Sequence, residues 1–329
     1  MTMMKFTAAS LLLLGAASSA LGFTYELETS VVGSDFYNNF VFENITDPTH
    51  GRVTYVDKAT AISQNLTYAS HDAFILSADH KTVLDPNGPG RNSVRLRSVS
   101  TYQNSLLVFD IRHMPQGCGT WPAVWTLGPN WPYGGEIDIV EGVNDQSPNA
   151  ATLHTGPNCT MPANRNQLGT TALTDCYGLD NSNAGCGVKF PTIESYGPSF
   201  NDIGGGWYAM ERSNTQVRVW FWPRNGYVPP DVQAGLPIVD PDLWGTPSAD
   251  FPNTDCDINS HFAPQSIVIN LTFCRCLFII ICGDWAGNVY SSSGCPGTCV
   301  DYVNNNPEAF AQAYFEFASL KTYQSVGFQ

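Results

Sequence analysis

Apolar residues along this chain recur with a period of two far more often than with a helical period. Residues 102–111, Glu136–Glu141, residues 216–222 and Ser266–Phe273 are rich in aromatic and β-branched residues. Turns full of Gly, Pro, Asn and Ser separate them. Many short strands without alternating helices predict an all-β sandwich or barrel. At this length one core is sufficient, because all-β domains often exceed 200 residues. No linker, internal repeat or appended binding module interrupts the pattern, so one domain is expected over residues 23–329.

The first 22 residues do not belong to that pattern. Lys5, an apolar run through Leu11 and Leu14 and the small residues up to Gly22 read as a secretory signal, with cleavage expected before Phe23. The formal charge is −14, and loss of Lys5 makes the remaining chain one unit more negative. Such a chain repels nucleic acid and anionic membrane, and no other run approaches the roughly 18 apolar residues of a bilayer span. Ten cysteines in an exported chain favour disulfides. Cys295 and Cys299 enclose only Pro-Gly-Thr, a spacing that a short loop bridge can close. Sequons at Asn44, Asn65, Asn158 and Asn270 fit surface glycosylation.

One strand breaks the apolar rule. Gly135-Glu136-Ile137-Asp138-Ile139-Val140-Glu141-Gly142 holds three carboxylates within six residues. Desolvating a carboxylate is costly unless something binds it or uses it. Alternation puts Glu136 and Asp138 on one face and turns Glu141 toward the apolar layer. A bulge at Ile139 or Val140 would return Glu141 to the acidic face, and we expect one there. Three carboxyls in a row cannot all ionise easily, so one stays protonated beside another that is free to attack. This is the requirement of glycoside hydrolysis. A structural calcium or magnesium site is the other use of clustered acids, but no EF-hand pattern accompanies them.

The segment "GTWPAVWTLGPNWPYGGEIDIVEGVN" (residues 119–144) resembles the catalytic region of glycoside hydrolase family 16 in its bulged E-x-D-x-x-E form. "NAATLHTGPNC", "VRVWFWPR" and "GDWAGNVY" follow in order. The chain is most similar to fungal secreted endo-1,3(4)-β-glucanases of the laminarinase type. The resemblance implies a jelly-roll, concanavalin A-like sandwich of two antiparallel sheets with a concave substrate cleft. It also implies a retaining double displacement in which Glu136 is the nucleophile, Glu141 the general acid and then base, and Asp138 assists between them.

A sugar cleft needs flat apolar platforms and a few polar anchors. Trp125 and Trp131, just before the acidic strand, are the expected platforms, whereas Trp121 is expected to pack inside. Trp285 resembles a family tryptophan that faces the sugar. His154 is expected beside a catalytic carboxylate or a substrate hydroxyl, with a core histidine as the other reading. Arg95 either reaches the cleft as a hydroxyl donor or pairs with an acid. Trp220 and Trp222 alternate with Val219 and Phe221 as packing residues do. The loop-like region 156–206, with three cysteines, is expected to border the cleft.

Residues 275–282, "RCLFIIIC", depart from the family pattern and look inserted, either genuinely or through a mis-spliced intron. The expected partner is a β-glucan polysaccharide, met by a monomer without cofactor or metal. A transglycosylase and a glucan-binding protein without chemistry are the rival functions. Esterase, zinc-protease, P-loop and dinucleotide motifs are absent.

Overall fold

The computed structural model describes residues 24–275 and 285–326. Most of residues 275–282 therefore lie outside the described residues, as does the leader. Two antiparallel sheets face each other, as expected. The first runs Ile238–Val239, Tyr25–Val31, Tyr314–Ser325, Ser105–His113, Gly206–Arg212, Gln216–Pro223 and Ala249–Pro252, with Phe74–Ser77 and Thr67–Ala69 added beside Tyr314–Ser325. The second runs Thr170–Thr171, Cys186–Lys189, Ala150–His154, Glu136–Glu141, Thr120–Leu127, Ser266–Phe273, Arg95–Ser98 and Phe40–Phe42. A small parallel pair, Val53–Tyr55 with Arg91–Ser93, stands apart from both and was not anticipated.

Strand alternation decides which side chains meet between the sheets. Val124, Ile137, Ile139, Leu153, Ile267 and Ile269 of the second sheet pack on Leu107, Phe109, Tyr208, Met210, Val219 and Phe221 of the first. The alternate residues of the second sheet face outward and are free to line a cleft. The first sheet is covered on its outer face as well. There Trp207, Trp220 and Trp222 are buried beneath the segment that carries Val228, Val232 and Trp244. Trp220 and Trp222 are thus packing residues, as their alternation predicts.

A third apolar cluster, including Phe273, Tyr290, Val303 and Phe310, supports one end of the second sheet. Disulfides Cys118–Cys295 and Cys274–Cys299 fasten it. The short-loop pairing of Cys295 with Cys299 is therefore wrong. Each of these cysteines pairs instead with a residue earlier in the chain, 177 and 25 positions away. Cys159–Cys256 and Cys176–Cys186 hold the 156–206 region, part of which does border the cleft.

Candidate active site

The acidic strand occupies Glu136–Glu141, near the middle of the second sheet. Glycines bracket it. Gly135 has φ +76°, and a Cβ there would stand 2.4 Å from the Phe262 ring. At Gly142 a Cβ would meet the Tyr196 ring at 2.5 Å. Both ends of the strand thus depend on close approaches that only glycine permits.

Between these ends the ladder to Thr120–Leu127 slips by one residue. Asp138 pairs with Trp125, Val140 pairs with Val124, and Ile139 has no partner of its own. This is the expected bulge. Ile139 and Val140 both turn into the core with no exposure, and Glu141 returns to the side of Glu136 and Asp138.

The three carboxyls line a cleft of about 710 Å³. Asp138 is buried, whereas Glu136 and Glu141 are half-buried at its floor. Burial raises the Glu136 pKa well above the usual carboxylate range. Repulsion from Asp138 and Glu141 adds to the rise, while His154 and the Trp131 ring N–H oppose it. Burial and then the Glu141 charge raise Asp138 well above its usual range too, against a hydrogen bond with Glu136. Glu141 is raised by burial and pulled back by a hydrogen bond from Trp121 and by His154. Burial raises all three groups, and the ionisation of one carboxyl in the row disfavours that of its neighbours.

The residues expected around these acids do converge on the cleft. Trp125, Trp131, His154, Trp285 and Arg95 all line it. His154 lies across the strand pair from Glu136, with Nε2 3.3 Å from an Asp138 carboxyl oxygen, and lines the cleft. Arg95 pairs with an acid and also lines the cleft. Its Nε donates to Glu43 at 2.7 Å, and its guanidinium lies over the Trp125 ring at 5.0 Å in the cleft wall. Trp131 and Trp285 keep 38% and 39% of their surface exposed, which leaves ring faces open to a ligand.

Trp121 corrects an expectation. It does not simply pack inside: its ring N–H donates to Glu141 at 2.9 Å, and its ring meets Trp285 edge-on in the cleft wall. The signal was present, since Trp121, Ala123 and Trp125 share strand parity. Asn270 corrects another. It is buried in the cleft wall, accepts from the Trp125 ring N–H at 2.7 Å and donates to the Tyr55 hydroxyl at 3.2 Å. The folded chain therefore offers no sugar-acceptor amide there. Asn44, Asn65 and Asn158 are exposed. Asn144, also missed, donates to the Ala286 carbonyl at 2.8 Å and so ties the short helix Trp285–Asn288 to the end of the acidic strand.

Glu136, Asp138 and His154 present ligand atoms within 4.8 Å of one another, a grouping that a cation can use. The other such grouping, Cys159, Cys256 and His261, is spent, because its sulfurs are joined to each other. Three carboxyls of raised pKa on the floor of an aromatic trough are suited above all to moving protons at a glycosidic oxygen.

A two-sheet sandwich with such a row defines a glycoside hydrolase. Comparison with known proteins fixes which one. The family description "XgeA-like, catalytic GH16 domain" matches residues 40–323, so the chain belongs to glycoside hydrolase family 16. It is 45% identical over 305 residues to a probable glycosidase of Schizosaccharomyces pombe, covering 92% of this chain and 70% of that protein. It is 42% identical to a probable endo-1,3(4)-beta-glucanase of Neosartorya fischeri, again over 92% of this chain but only 46% of the relative, so it spans less than half of that protein. Among solved structures, GH16 Laminarinase 16A from Phanerochaete chrysosporium, described with beta-glucans in both donor and acceptor sites, is 59% identical. Its TM-score is 0.88, with 92% of this chain and 100% of that one covered. An elongating GH family 16 beta-1,3-glucosyltransferase is 42% identical, with a TM-score of 0.83 over 91% of this chain and 100% of that one.

Proposed function

We propose that this chain is a secreted, retaining endo-β-glucanase acting on β-1,3-glucans, including mixed β-1,3/1,4 or β-1,6-branched ones. The observation that carries the reading is the bulge at Ile139, which sets Glu141 in one row with Glu136 and Asp138 beneath open tryptophan faces. Glu141, whose pKa burial raises, donates a proton to the departing glycosidic oxygen while Glu136 attacks the anomeric carbon. Glu141 then takes a proton from the water that releases the sugar. Asp138, buried between them, assists both glutamates.

The same residues serve a transglycosylase, a reading favoured by the 42% identical glucosyltransferase. The two differ only in whether water or a sugar hydroxyl meets the glycosyl-enzyme. The leader-like start and the disulfides support export as the catalytic domain over residues 23–329.

Product profiling on laminarin, lichenan and curdlan tests this function. Endo-cleavage with release of new reducing ends is expected, and Glu136→Gln should abolish turnover, a loss of at least about 10⁴-fold, while glucan binding stays measurable. Elongated products exceeding reducing-end release would replace hydrolysis by transfer. Unchanged turnover in Glu136→Gln would show that the nucleophile is another residue.

A further inference from the structure

The bulge that carries the chemistry creates a backbone problem. On one side the ladder to Thr120–Leu127 resumes after Ile139. On the other side, pairing with Ala150–His154 stops at Asp138 and Thr152, so the Ile139 carbonyl and the Glu141 N–H face a strand that no longer bonds them. The Ile139 carbonyl is buried and the Glu141 N–H partly so, and an unmade hydrogen bond there is costly.

Asn149 meets both of them. Its side-chain NH₂ donates to the Ile139 carbonyl at 2.9 Å, and its side-chain oxygen accepts from the Glu141 N–H at 2.9 Å. The carboxamide thus stands in for a missing peptide unit of the neighbouring strand, clasping the bulged turn across its open side. Asn149 is fully buried and itself held fast. Its own N–H donates to the Ser195 hydroxyl at 3.0 Å, that hydroxyl donates to the Thr192 carbonyl at 2.6 Å, and the Asn149 carbonyl accepts from the Phe190 N–H at 2.9 Å. Asn149 is not itself among the residues that line the cleft.

We infer that Asn149 is the positioning residue for the proton donor: it fixes the bulged backbone so that Glu141 is aimed at the glycosidic oxygen. This rests on the role proposed above for Glu141. It makes a specific demand, because only steps that need the donor should depend on Asn149. An acid matters for a poor leaving group such as a glucosyl oxygen. It matters little for a leaving group that departs unprotonated.

The test compares kcat/KM, which reports the step that forms the glycosyl-enzyme, for laminarin and for a 2,4-dinitrophenyl β-laminaribioside. In Asn149→Ala the laminarin value is expected to fall about 10²-fold, the scale of a misplaced catalytic group, while the dinitrophenyl value changes less than about threefold and KM for laminarin is little altered. Equal losses on both substrates would reduce Asn149 to a structural residue and overturn the proposal, as would an unchanged laminarin value. If Asn149→Ala does not fold, Asn149→Asp keeps the side-chain volume and the acceptor facing the Glu141 N–H but loses the donor to Ile139. The same selective loss is expected from it, and the same two outcomes overturn the idea. Failure of the wild-type enzyme to act on laminarin at all would instead strike at the proposed function, so the two failures are separable.

Discussion

The eight tryptophans fall into two groups of four that use one side chain for opposite ends. Trp207, Trp220, Trp222 and Trp244 lie on the outer face of the first sheet. Trp244 meets Trp220 and Trp222 edge-on at 5.4 Å, Trp220 donates to the Gly245 carbonyl and Trp244 to Asp231, and all four are nearly sealed from solvent. Trp121, Trp125, Trp131 and Trp285 line the cleft of the second sheet. Three of these aim ring N–H groups at site residues, Trp121 at Glu141, Trp125 at Asn270 and Trp131 at Glu136, and Trp131 and Trp285 leave ring faces uncovered. What separates the groups is coverage. A ring closed over by protein returns its binding capacity to the fold, whereas an uncovered ring keeps it for a ligand.

That contrast breaks if residues of the two groups behave alike when changed. Trp244→Ala should give the largest effect, a loss of about 3–5 kcal/mol of stability in urea unfolding. Its kcat/KM on laminarin, measured per folded molecule, should not change, and a fall there would tie the outer cluster to the cleft. Trp131→Ala should do the reverse. KM for laminarin should rise about tenfold, which corresponds to about 1.4 kcal/mol, while stability moves by less than about 0.5 kcal/mol. A drop in melting temperature without a KM effect would move Trp131 into the packing group.

The finest distinction comes from Trp121→Phe, which keeps a ring and removes the N–H. That hydrogen bond favours the ionised form of Glu141 and lowers its pKa, so removing it raises the pKa and lets the acid stay protonated to higher pH. The alkaline limb of the kcat/KM profile should therefore move upward, with little change in melting temperature. A limb that stays in place would detach either Trp121 or Glu141 from the proton donation.

Much of this arrangement was legible in the sequence because period-two alternation is a local signal. It delivered the bounds of the acidic strand, the bulge needed by Glu141, and the packing role of Trp220 and Trp222. Trp121 was misread although its parity with Trp125 was visible, because a single tryptophan is more often a core residue. The rest was not local. The bond from Asn270 to Trp125 and the clasp of Asn149 on Ile139 and Glu141 depend on which strands lie side by side. The partners of Cys295 and Cys299 lie 177 and 25 residues away, which no short spacing reveals. The sequon at Asn270 satisfies a chemical pattern that carries no information about burial.

The acidic row has a consequence for the molecule as a whole. Its carboxyls hold their protons more tightly in the folded chain than in the unfolded one. As pH climbs past the ordinary carboxylate range, unfolding therefore releases protons, and the native state loses ground to the denatured one until the raised folded pKa values are passed. The acids that mark the cleft thus make the stability of the fold decline as pH rises above the ordinary carboxylate range.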